Sequence, residues 1–79
     1  MKIKVEIYTP GDSRSFEADA VFLPGAEGAF EVLPGHADII SALAAGDVRW
    51  RSGETEEKMT VKGGIVRVER NLMQICAQI

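Results

Sequence analysis

All three prolines of this chain are followed by glycine: Pro10-Gly11, Pro24-Gly25 and Pro34-Gly35. Proline presets φ at the second position of a turn, and glycine accepts the positive φ that a type II turn requires next. Three such reversals in the first half of a short chain predict an all-β domain. The segments around them alternate as strands do. Lys2 to Tyr8 places Ile3, Val5 and Ile7 on one face, the period-two pattern of a half-buried strand. Arg14 to Leu23 alternates again, with Phe16, Ala18, Ala20 and Phe22 on a shared face. Small alanines between bulky phenylalanines predict a second layer that approaches closely.

The pattern continues to the end of the chain. Ala29 to Leu33 reads as a short strand leading into Pro34-Gly35. Asp38 to Ala45 fits helix or strand by periodicity, but its length and the following Gly46 favour strand. Asp47 to Arg51 points Trp50 inward and both flanking arginines outward. Ser52 to Thr55 is a polar hairpin loop, after which Met59 and Val61 alternate inward. Gly63-Gly64 interrupts a strand pattern that resumes at Ile65, which marks a bulge or a close backbone approach at a corner between sheets. Arg70-Asn71 makes the last turn before a closing strand, Leu72 to Gln78. Strands spaced by about 8–12 residues are those of a sandwich or barrel.

With 79 residues the chain forms one domain, 1–79, and there is no linker or low-complexity tract. A domain of this size buries only about 60–65% of its unfolded surface, so its core is modest. Cys76 has no partner for a disulfide, and one cysteine with one histidine is too few for a zinc site. A small buried thiol is the expected state of Cys76. No apolar run approaches the roughly 20 residues of a membrane span, and the charged amino terminus is unlike a signal peptide. These features predict a cytosolic or cytosol-facing protein. A net charge of −3 argues against nucleic acid or anionic lipid as the main partner.

Little in the sequence suggests catalysis. His36 is the sole imidazole, and Asp38 could orient it, yet no serine or cysteine nucleophile has a signature around it. A lone histidine beside a turn reads as structural or interfacial. Gly25 to Gly28 and Lys62 to Gly64 match neither a Walker loop nor a dinucleotide fingerprint, so no cofactor is expected. Phe30, in a loop-rich segment, is either a core plug or an exposed anchor, with the core favoured.

The order of these features resembles the amino-terminal domain of the epsilon subunit of rotary (F-type) ATP synthases. The resemblance rests on Gly25-Ala26-Glu27-Gly28, Leu33-Pro34-Gly35-His36-Ala37, Ile40-Ser41-Ala42-Leu43 before Gly46, and Val61 to Val68 with its paired glycines. It runs almost end to end. It implies a flattened β-sandwich of about ten short strands, at the foot of the central stalk, that joins the gamma subunit to the membrane c-ring. His36, Ser41 and Lys62 would then face gamma, and Glu27, Ala29, Phe30 and Glu31 would face the c-ring. No catalytic, cofactor or metal site is implied. The chain would lie on the cytoplasmic face of the inner membrane, peripheral through the complex and without a lipid anchor of its own.

Three departures accompany the resemblance. Gly28-Ala29-Phe30-Glu31 stands where the family often has Gly-Glu-X-Gly, and Lys62 replaces a serine before the paired glycines. The carboxy-terminal helical hairpin of most relatives, which brakes ATP hydrolysis, has no counterpart within these residues. A generic small β-sandwich module binding a protein or carbohydrate is the alternative, and an enzyme built on His36 and Asp38 is a third reading.

Overall fold

Alternation at the amino terminus becomes β1 (Ile3–Thr9), in which Ile3, Val5 and Ile7 are buried and Lys4 and Tyr8 are exposed. A computed structural model describes residues 1–79, and all of its regular elements are strands. There are nine: β1 is followed by β2 (Asp12–Ala18), β3 (Ala20–Leu23), β4 (Phe30–Val32) and β5 (Ile39–Leu43). Then come β6 (Gly46–Ser52), β7 (Thr55–Val61), β8 (Gly63–Glu69) and β9 (Leu72–Gln78). Within Asp38–Ala45, Ile39–Leu43 is strand and nothing is helix, as its length predicts. No helix is long and apolar enough to cross a membrane.

The strands build two layers. One sheet has the order β2-β1-β9-β8-β5 and the other β4-β3-β6-β7. All pairings are antiparallel except that of β1 with β9, which run side by side in parallel. Inward-facing residues of both sheets form one cluster, including Ile3, Ile7, Leu23, Val48, Trp50, Val66, Met73 and Ile75. Each such side chain contributes about 1.5–3 kcal/mol by leaving water. Trp50 of β6 lies in this core as its flanking arginines predict, and its ring stacks on Phe16 of β2 with centroids 4.6 Å apart. The Arg14 guanidinium covers the pair, 5.1 Å from the Trp50 ring.

Two details differ from the sequence reading. Residues 14–23 do not form one strand. The chain bends at Asp19, so that β2 belongs to the five-stranded sheet and β3 to the four-stranded sheet. The bend shifts the alternation: Ala20, Val21 and Leu23 are buried, and Phe22 turns to the outer face beneath the Arg49 guanidinium, 4.8 Å from its ring. Asp19 holds the corner. Its carboxylate accepts from Lys2 Nζ (3.0 Å) and from the Gly53 amide (2.7 Å), while its own amide donates to Arg51 O (2.7 Å).

Pro24-Gly25 is the second difference. Gly11 and Gly35 have φ of 78° and 82°, as type II turns require. Gly25 lacks a positive φ, and its amide donates to Leu23 O (3.0 Å) in a three-residue reversal about Pro24. Glycine is needed here for space, because a Cβ would lie 2.5 Å from Gly28 O and 2.8 Å from the Phe30 ring. The other corner, Lys62, joins β7 to β8 and changes sheets as the paired glycines predict. A Cβ on Gly64 would sit 2.9 Å from Ala77 Cα, against the backbone of β9, and its φ of 153° disfavours any side chain.

Gly64→Ala should therefore lower unfolding stability by about 2–4 kcal/mol, read from the urea midpoint at constant m. A change within experimental error would show that β8 and β9 do not approach so closely. For Asp19, the Gly53 amide first and the Lys2 ammonium second hold the carboxyl below its ordinary 3.8. A lowered folded-state pKa stabilises at neutral pH, and this contribution disappears as pH falls through the folded value. Asp19→Asn should be less stable than the natural chain at about pH 7, with the gap closing as pH falls below the ordinary 3.8 and through the lower folded value. A gap of constant size across that range would remove the ionised carboxylate from the account.

Candidate partner-binding surfaces

Strand directions divide the connections between two ends of the sandwich. At one end the Leu33–Asp38 loop meets the Arg70-Asn71 turn, Lys2 and Asp19. The Gly35 amide donates to Asn71 Oδ1 (3.0 Å), Asn71 Nδ2 donates to Lys2 O (2.7 Å), and the Arg70 amide donates to Asp38 Oδ1 (3.1 Å). At the opposite end lie the Pro10-Gly11 turn, the Pro24–Ala29 loop and the Lys62 corner. There the Ala26 amide donates to Ala42 O (2.9 Å) and the Ala44 amide to Pro24 O (2.7 Å), which laces the β3–β4 loop to the end of β5.

The three residues expected to face one partner do not cluster. His36 is half-buried and follows a turn closed by its own amide donating to Leu33 O (3.1 Å). Its Nδ1 lies 2.7 Å from Ala37 O, while Asp38 serves the Arg70 amide, so the two side chains form no catalytic pair. Ser41 lies midway along β5 on the face it shares with Leu43, half-buried, with Oγ donating to Ala42 O (3.3 Å). Lys62 is exposed at the far end, its amide donating to Gln78 O (2.6 Å). Together they are spaced along the β5–β8 flank, whose length is set by seven-residue β8, about 20 Å.

Glu27, Ala29, Phe30 and Glu31 are contiguous in space as in sequence. Glu27 and Ala29 are exposed in the β3–β4 loop, and Glu31 is exposed on edge strand β4 opposite Phe22. Phe30 takes the core alternative: half-buried, it packs against the central cluster and under Gly25. Its ring therefore positions the loop, and the outward groups are Glu27, Ala29 and Glu31.

Sequence reasoning did not single out the outer face of the five-stranded sheet. Registers align Ala42, Ile65, Cys76 and Tyr8 across β5, β8, β9 and β1. Ile40 is 71% exposed and Ile65 49%. Cys76 is exposed too, against the expectation of a buried thiol, because Met73, Ile75 and Ala77 take the inward phase of β9. The signal was present: Ile40 and Ile65 are out of phase with their buried neighbours Leu43 and Val66. In the next row, Glu6 Oε1 accepts from Gln74 Nε2 (3.1 Å) and from Tyr8 Oη of the first row (2.9 Å). These bonds, Gln74 first, lower the Glu6 pKa, and the bond to Glu6 raises that of Tyr8. The four-stranded sheet is polar outside, with ion pairs Arg49–Glu56 (3.1 Å) and Lys58–Asp47 (3.7 Å). No three His, Cys, Asp or Glu side chains gather as a metal cluster would require.

Comparison with known proteins gives a consistent family. The model of the ATP synthase delta/epsilon chain beta-sandwich domain matches residues 2–79. The ATP synthase epsilon chain of Wolinella succinogenes is 42% identical over 77 residues, covering 95% of this chain and 59% of that protein. That of Syntrophobacter fumaroxidans is 40% identical over 77 residues, covering 96% and 58%. The epsilon chain of Leptospira interrogans is 35% identical over 75 residues, covering 94% and 59%. The chain thus spans less than two thirds of the length of these curated relatives. Among solved structures, the fold is matched in the Euglena gracilis mitochondrial ATP synthase OSCP/F1/c-ring structure (TM-score 0.90, 20% identity, 96% of this chain and 50% of that chain). It is matched too in the Tetrahymena thermophila mitochondrial ATP synthase central stalk/c-ring structure (TM-score 0.85, 17% identity, 100% and 65%).

The outward phase of Cys76 is directly measurable. In the folded chain the thiol should react with a small maleimide within about tenfold of the rate of an unfolded control. Protection that persists until denaturant is added would place the thiol in the core.

Proposed function

The chain belongs to the ATP synthase delta/epsilon beta-sandwich family, and from this premise we propose that it is a non-catalytic central-stalk subunit coupling gamma to the membrane c-ring. The observation that carries the reading is the family match over residues 2–79. The complex would couple proton or sodium flow to ATP synthesis. The chain would sit on the cytoplasmic face of the inner membrane, held there by its partners.

A coupling piece must transmit force without yielding, and the fold suits that task. Forty of its 48 backbone hydrogen bonds lie within the strands of two sheets, its hairpins are tight, and both single-residue corners are bonded. The β5–β8 flank and the β3–β4 loop are distinct surfaces that could serve as separate attachment sites. We assign His36, Ser41 and Lys62 to the gamma side, and Glu27, Ala29, Phe30 and Glu31 to the c-ring side. Because the first three lie along one flank, a gamma surface that touches all of them must extend for about 20 Å. Within the second group, Phe30 supports the loop from beneath while the two glutamates offer charge to polar loops on the ring.

Cysteine at position 36 should cross-link to cysteines on the facing surface of gamma in the assembled complex. His36→Ala should weaken docking of the chain to gamma by about fivefold, measured by surface binding kinetics. Failure of every position-36 cross-link while assembly is intact would count against this orientation.

A further inference from the structure

The loop that carries His36 is held by a turn distant in sequence. Asn71 has φ of 63° and follows Arg70 at φ 52°, the two left-handed positions of a two-residue hairpin turn. From there its Oδ1 accepts from the Gly35 amide (3.0 Å), its Nδ2 donates to Lys2 O (2.7 Å), and its main-chain oxygen accepts from the Lys4 amide (3.2 Å). Asp38 closes the same span by accepting from the Arg70 amide (3.1 Å). His36 and Ala37 are thus bracketed by Gly35 and Asp38, both fastened to one turn.

Backbone conformation alone does not account for asparagine at position 71. Glycine or aspartate also tolerates left-handed φ. Of these three, only asparagine supplies an acceptor to Gly35 and a donor to Lys2 at once. A loop fixed before contact loses less conformational freedom on binding than one that must be ordered by its partner.

We propose that Asn71 is a positioning residue for docking: it holds the Pro34-Gly35-His36 turn in the geometry that gamma receives. The proposal rests on the reading of His36 as gamma-facing. Asp38 supports the same turn from its other side. Neither residue needs to touch gamma.

The test compares Asn71→Gly, Asn71→Asp, Asp38→Ala and His36→Ala in the 79-residue chain. Two quantities are read: hydrogen exchange at the Gly35 and His36 amides, and affinity for the cognate purified gamma subunit. Asn71→Gly keeps the turn backbone and removes both side-chain bonds, so exchange at Gly35 should rise at least about tenfold and affinity should fall about fivefold. Asn71→Asp keeps the acceptor for Gly35 but sets a carboxylate oxygen against Lys2 O, so Gly35 exchange should rise and affinity should fall, each by less than in Asn71→Gly. If Asn71→Gly does not fold, Asp38→Ala gives the same comparison through the Arg70 amide. Faster exchange in either clamp variant with unchanged gamma affinity, while His36→Ala still weakens binding, overturns the proposal and leaves the gamma-facing reading intact. Unchanged affinity in His36→Ala overturns that reading, and the proposal with it.

Discussion

The architecture depends on two corners at which the chain passes from one sheet to the other through a single residue. Asp19 separates β2 from β3, and Lys62 separates β7 from β8. The corners lie at opposite ends of the sandwich and use opposite means. At Asp19 a carboxylate gathers an ammonium and a backbone amide, so the bend is held by added bonds. At Lys62 the following glycines remove side-chain bulk, so the backbone of β8 can lie close against β9. With both corners set, the inward phase of four strands is determined, and with it the composition of the core.

That phasing also makes the two outer faces unlike. Arg49, Lys58, Asp47 and Glu56 pair with one another on the four-stranded sheet, where exposed ion pairs add little stability but leave the face well solvated. On the five-stranded sheet, Ile40, Ile65 and Tyr8 stand in the outward phase among the Glu6–Tyr8–Gln74 bonds and the Arg67–Glu69 ion pair. Apolar groups aligned across neighbouring strands are unusual on a surface meant only for water.

Local patterns made much of this visible in the sequence. Ile3, Val5 and Ile7, Trp50 between two arginines, and Gly63-Gly64 each carry their signal within a few residues. The misreadings have physical reasons. Alternation through Phe16, Ala18, Ala20 and Phe22 survives a one-residue phase shift on paper, and only the adjacent apolar pair Ala20-Val21 hints at the corner. Pro24-Gly25 looks like its two counterparts, but its glycine answers to Gly28 and Phe30 rather than to φ. Residue type alone makes Cys76 a buried thiol, whereas the phase set by Met73 and Ile75 turns it outward. Asn71 was legible only as a turn former, since its bonds to Gly35 and Lys2 are formed by residues far away in the chain. The gamma-side residues were legible as a set through family resemblance alone, and nothing local shows that β8 spaces them apart.

The parallel pairing of β1 with β9 has a consequence for how the protein is made. Lys4 to Tyr8 lies beside Leu72 to Cys76 at the centre of the larger sheet. During synthesis, at about 5–20 residues per second, β1 leaves the ribosome several seconds before its neighbour exists. Over that interval the edge of β1 on which the Lys4 amide later bonds Asn71 O is open to any other extended chain. Pairing across nearly the whole sequence is also slow to nucleate, because loop closure precedes its reward. The nascent chain is thus most exposed to misassembly at β1, and the arrival of β9 serves as the release from that hazard.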